Sequence, residues 1–219
     1  MSDFKWPKDK RLAMSIVVNV EEGSEYSVKE GDKGMEPVDE LQVHLKKPMR
    51  NYGNESNYQY GINEGAPRII KLLDKYQMPA TWTAAALSLE RAPQIAAAIW
   101  DAVQGTNEPM VIVPYALDSN DMKMWVAPSL TPDAWLKYAI DTFDVLYEEG
   151  AEQPRMMSLG LHLRIIGRPG RIGALEAFLR YVSEKPGVWF TTRQQIAETF
   201  QEQVPAASYV AKDKVGATS

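Results

Sequence analysis

Residues 15–23 read SIVVNVEEG. Ile16, Val17, Val18 and Val20 form a β-branched apolar run that stops at two adjacent carboxylates, Glu21 and Glu22, and a glycine. An unbroken run of this kind fits a strand buried on both faces, as in a parallel sheet. In parallel α/β folds the loops leaving the carboxyl ends of the strands make the ligand face, which places Glu21 and Glu22 where chemistry is usually sited. A solvated turn after a strand fits the same letters about equally well. The ends of the later strands therefore carry the decision.

Outward from this stretch, helices and strands alternate. Pro67 suits the first turn of a helix whose Ile69, Ile70, Leu72, Leu73 and Tyr76 form one stripe, closed by Met78-Pro79. Residues 80–86 read as a second strand, and Pro93 opens a helix with Ile95, Ile99 and Val103 on one face. A third strand, 110–115, runs into LDSND. Thr131-Pro132-Asp133 starts a helix that buries Trp135, Ala139, Phe143 and their neighbours and is stopped by Gly150. Residues 156–166 form a fourth strand ending near His162, Pro169 begins another helix, 188–191 are a fifth strand, and 193–203 are a last helix. Five strands separated mostly by helices define an α/β class with a mostly parallel sheet. Residues 24–65, broken by repeated Gly and Pro, read as a long loop covering the site. Within it, Glu55 and Tyr60 of RNYGNESNYQYG (50–61) are candidates to orient a polar substrate, with plain surface packing of the tyrosines as the alternative.

The 219 residues, 45% of them hydrophobic, suffice for one sizeable core, so 1–203 reads as a single domain and 204–219 as a flexible tail. A net charge of −5 without a basic block argues against nucleic-acid or anionic-membrane partners. The absence of cysteine removes disulfides and thiolate metal sites and fits a cytoplasmic chain. MSDFKWPKDKR lacks the apolar core of a signal peptide, and no run approaches the ~18 apolar residues of a membrane span.

Three polar clusters fall at strand ends: Glu21 and Glu22, then Asp118, Asn120 and Asp121, then His162 with Arg164. In a parallel sheet all three reach one rim. A carboxylate facing a histidine there has the chemistry of a general base for water and a general acid for a departing nitrogen. Asp118, Asn120, Asp121 and Arg164 would orient the substrate. His162 in LGLHLRII also fits a hydrogen-bonded core histidine, the commoner fate of a lone His in an apolar run, and LDSND is also good turn chemistry. GRPGRIG (167–173) lacks the ending of a phosphate loop, and no Gly-x-Ser-x-Gly elbow occurs. With His44 and His162 the only histidines, a zinc site would have to rest on carboxylates and one imidazole.

VNVEEG, RNYGNESNYQYGINEGAPRIIKLLDKYQMPATW, VIVPYALDSNDMKM, FDVLYEEG and MSLGLHLRIIGRPGRIGALEAFLRYV, in this order, resemble the polysaccharide-deacetylase superfamily, nearest its cofactor-independent allantoinase branch. The resemblance covers nearly all of residues 6–203. It implies a deformed (β/α) barrel, hydrolysis of a non-peptide C–N bond in a cyclic ureide or acetamido sugar, a small-molecule substrate and no cofactor. In the deacetylases an acidic pair after strand one supplies a metal ligand and a base. In the allantoinase-like branch glutamates stand there, matched by Glu21 and Glu22. The late-strand histidine matches His162, and the Asp-x-Asn-Asp run matches Asp118, Asn120 and Asp121.

The same resemblance exposes a departure. The family's middle section, with its His-Gly-aromatic motif, is missing, and PQIAAAI runs almost directly into WDAVQGTNEPMVIVPY, so an internal deletion is expected near 99–100. Five strands cannot close an eight-stranded barrel. An incomplete barrel exposes strand edges and apolar faces, so a homo-oligomer is expected. Two further readings stand beside the hydrolase: a non-catalytic remnant that binds a ligand or self-associates, and an open α/β sheet unrelated to the family.

Overall fold

The computed structural model describes residues 4–36, 47–95, 113, 115, 119–126 and 128–204. Strand β1, Leu12–Val20, is the centre of a parallel sheet. β3 (Arg155–His162) pairs along one edge of β1, from Leu12↔Arg155 to Asn19↔His162. The other edge is shared: β4 (Val188–Phe190) takes residues 12–14 and β2 (Ala80–Ala84) takes residues 16–20. Among the described residues the sheet does not close.

Register divides the residues between two faces, because side chains alternate along each strand. Leu12, Met14, Ile16, Val18 and Val20 share a face with Met157, Leu159 and Leu161, all buried in the main core. Helices α2 (Ala66–Lys75), α4 (Pro132–Glu149) and α5 (Pro169–Ser183) cover it with Ile69, Leu73, Trp135, Phe143, Phe178 and Leu179. Each such large side chain, fully buried, contributes about 1.5–3 kcal/mol. The opposite face carries Ser15, Asn19, Thr81, Thr83, Ser158 and His162. Both faces of β1 are buried, as its apolar run implies, yet one of them is lined with polar groups.

Several elements match the sequence pattern closely. Thr131 accepts a hydrogen bond from the Ala134 amide and Pro132 occupies the first turn of α4. Helix α6 spans Arg193–Gln203, with a capping box between Thr192 and Gln195. Elsewhere the structure differs. Residues 52–65 are not loop: α1 (Tyr52–Tyr60) passes through a π turn, Gly61–Gly65, directly into α2. The buried residues of α1 are Asn54, Asn57 and Tyr58, so its inward face is largely polar and apolar periodicity could not reveal it. The second strand stops at Ala84 and is followed by α3, Ala86–Arg91. The fourth ends at His162, after which Leu163–Ile166 make a single helical turn. The expected third strand apart from Val113 and Tyr115, most of the helix after Pro93, the 99–100 join and nearly all of the tail lie outside the described residues.

Candidate functional site

The alternation of β1 continues beyond its end and separates the two carboxylates. Glu21 follows the polar face, with a side chain 48% exposed, whereas Glu22 turns toward the helices and is fully buried. Glu22 Oε1 accepts from the Arg164 amide (3.1 Å) and guanidinium (3.3 Å), and Oε2 accepts from the Glu21 amide (3.1 Å). The π turn makes room for it. A Cβ on Gly61 would stand 2.7 Å from Glu22 Oε1, and one on Gly65 would collide with the Leu163 carbonyl.

His162, at the end of β3, lies between two acids. Its Nδ1 is 2.7 Å from Asp121 Oδ1, and its Nε2 is 3.6 Å from Glu21 Oε1, an ion-pair separation slightly too long for a hydrogen bond. Asp121 is fully buried, and its second oxygen accepts from the amides of His162 (2.8 Å) and Ile166 (3.2 Å), which fixes the turn that carries both partners. Arg164 Nη2 reaches Glu21 Oε2 at 3.0 Å, and the Tyr58 ring packs on the guanidinium at 4.5 Å.

These contacts set the charges. Burial pushes the imidazolium down, but the hydrogen bond and charge of Asp121, joined by the nearby charge of Glu21, outweigh it and hold the His162 pKa up at about 10. Glu21 is held down to about 2, first by His162 and then by Arg164, against the opposing cost of burial. Burial pushes Glu22 up, opposed by Arg164. At neutral pH the site therefore holds a protonated histidine beside an ionised, partly accessible carboxylate.

Of the residues singled out in the sequence, Glu21, Glu22, Asp121, His162 and Arg164 come together. Asn120 immediately precedes Asp121 and donates through Nδ2 to the Tyr115 hydroxyl at 2.8 Å. Glu55 is paired instead with Arg50 (3.1 Å), and Tyr60 sits between Arg68, which donates to its hydroxyl, and Arg168, stacked 4.3 Å from its ring. Asp118 lies outside the described residues. Asn19, Tyr58, Tyr115 and Arg193 were not singled out. A lone Asn inside an apolar strand was a readable signal for the first, whereas nothing local marked Arg193, which crosses from α6 to Ser158 Oγ at 3.0 Å.

Comparison with known proteins bears on the fold. A solved structure of PuuE allantoinase superposes with a TM-score of 0.84 at 28% identity, covering 91% of this chain and 93% of that one. The fold is that of the polysaccharide deacetylases. A Pseudomonas aeruginosa PAO1 structure assigned as a polysaccharide deacetylase gives 0.82 at 28% identity, covering 91% and 94%. One from Mycobacterium smegmatis, at 0.70 and 17% identity over 93% and 94%, supports the fold alone. A curated Schizosaccharomyces pombe protein assigned as a polysaccharide deacetylase is 28% identical over 298 positions, covering 91% of this chain and 93% of the relative. That alignment is longer than the 219 residues present, so part of the relative has no counterpart here. No protein-family model matches the chain.

A metal of the kind deacetylases use fits these residues poorly. Among the described residues no three His, Asp or Glu side chains converge on one point. His162 Nδ1 is engaged by Asp121, and the Arg164 guanidinium sits against both glutamates, where its charge would repel a divalent cation.

Proposed function

We propose that this chain hydrolyses a non-peptide C–N bond in a small cyclic amide of the allantoin type, with Glu21, His162 and Asp121 as its working residues. The line Glu21···His162···Asp121, backed by Arg164, carries the reading. Water adds to the carbonyl carbon and gives a proton to Glu21. As the C–N bond breaks, His162 Nε2–H protonates the departing nitrogen. Asp121 holds Nδ1 and keeps the ring oriented. Glu21 then carries a proton and His162 has lost one, and with the affinities above the proton returns downhill across the 3.6 Å gap, restoring the starting state. Glu22 acts through Arg164 as a positioning residue, and His162 together with Arg164 holds Glu21 ionised.

The test is hydrolysis of allantoin and of an N-acetylated sugar, each with and without excess chelator. Allantoin turnover that survives chelation supports the metal-free allantoinase reading; loss of that turnover on chelation overturns its metal-free part. The open sheet and the shorter chain favour a second reading, a remnant that binds such ligands without turning them over. Saturable allantoin binding with no product identifies that case.

A further inference from the structure

The Tyr115 hydroxyl is surrounded in a way that fixes where its hydrogen goes. Asn19 Nδ2 stands 3.0 Å from it and Asn120 Nδ2 2.8 Å. Neither amide is free to reverse. Asn19 Nδ2 also donates to the Leu161 carbonyl at 3.2 Å, which can only accept, and Asn120 Oδ1 accepts from the Met122 amide at 2.8 Å, which can only donate. Both side chains therefore donate to the phenol oxygen and fill its lone pairs. The phenol's own hydrogen finds no acceptor among the described residues.

Its location adjoins the chemistry. Asn19 pairs with His162 across β1 and β3, and Asn120 precedes the Asp121 that holds His162. Strand β3 makes space for the oxygen with Gly160, where a Cβ would run into the Tyr115 hydroxyl and the Asn120 amide. Burial raises the phenol pKa, opposed by the Asn19 hydrogen bond and reinforced by the charges of Asp121 and Glu21, so the group stays a donor at neutral pH.

We infer that the Tyr115 O–H is a catalytic hydrogen-bond donor to the substrate carbonyl oxygen, stabilising the oxyanion that forms when water adds. This rests on the hydrolase reading above. The phenol keeps its proton in the step: the water's proton goes to Glu21, the carbonyl π bond becomes a C–O⁻ group, and the Tyr115 O–H donates to that oxygen more strongly as its charge grows.

Two variants test it from opposite sides. Tyr115→Phe removes the donor. Asn120→Asp keeps the phenol and the acceptor for Met122 but replaces the amide donor with a carboxylate oxygen, which captures the phenol hydrogen. Each is expected to lower kcat for allantoin at least tenfold, on the scale of ~10²–10³ for loss of one such donor, with KM changed less than threefold. The double variant should be no worse than either single one, because both remove the same hydrogen bond. Circular dichroism melting checks that the fold persists. Wild-type turnover with Tyr115→Phe within threefold of it overturns the inference and leaves the hydrolase reading standing. Absence of turnover in the wild-type chain overturns both.

Discussion

Glu21 and Glu22 are neighbours in sequence and share Arg164, but they differ in burial and in the direction their pKa is pushed. Strand alternation leaves Glu21 half-exposed beside His162 and buries Glu22 under the π turn, so they should fail differently. Glu21→Gln is expected to lose turnover and, at neutral pH, to melt below the wild type by about as much as the wild type loses when Glu21 is protonated. Glu22→Gln places an amide donor among groups that only donate, at a cost of about 1–3 kcal/mol, which is ~2–4 °C in Tm per kcal/mol at this chain length. His162→Asn should lower kcat by about 10²-fold or more. The same pair makes stability depend on pH. His162 is raised from 6.5 to about 10, so its contribution is complete below pH 6.5 and is lost as pH climbs toward 10. Glu21 is lowered from 4.5 to about 2, so its contribution is complete above pH 4.5 and is lost as pH falls toward 2. Tm should therefore be highest between those two ordinary values, and His162→Asn should flatten the alkaline fall in a Tm-against-pH series. That two carboxylates stand at the end of the first strand was legible in VNVEEG; which of them follows the sheet's polar face depends on where the strand's alternation runs out.

At the scale of elements, the site depends on close approaches between segments distant in sequence. The π turn brings Gly61 against Glu22 and Gly65 against the Leu163 carbonyl, so the helix from α1 to α2 packs directly on the turn that presents Arg164. Gly65→Ala is expected to destabilise by about 1–3 kcal/mol through overpacking, read as a lower urea midpoint with an unchanged slope. Helices α2, α4, α5 and α6 were legible because each carries an apolar stripe or a strong cap, such as Ile69, Leu72 and Leu73 or Thr131-Pro132. Helix α1 was not: Asn54 and Asn57 are buried within it, and buried asparagines look like loop residues in a sequence. The fourth strand was read four residues too long for a related reason. Leu163, Ile165 and Ile166 are apolar whether they continue a strand or pack one helical turn.

For the whole molecule, the mostly parallel sheet was foreshadowed by the order of elements, whereas the polar groups along one of its faces were not. Among the described residues the sheet remains open, and Tyr138 and Val145 lie exposed on α4 beside a groove of about 440 Å³ floored by Met156 and Met157. We propose that a second copy covers this side. Light scattering is expected to report a multiple of the 24.6 kDa chain mass, and Val145→Glu to shift it toward a single chain. The central claim concerns a shorter distance: an acid from the first strand and an imidazole from a remote one share one cavity. It is tested most directly by following the imidazole nitrogens of His162 by NMR as pH is raised, with His44→Gln for assignment. The expected result is an imidazolium that persists to about pH 10 and loses its proton at markedly lower pH in Glu21→Gln. A His162 that titrates near 6.5 and ignores Glu21→Gln would contradict the pairing, and the hydrolase reading with it.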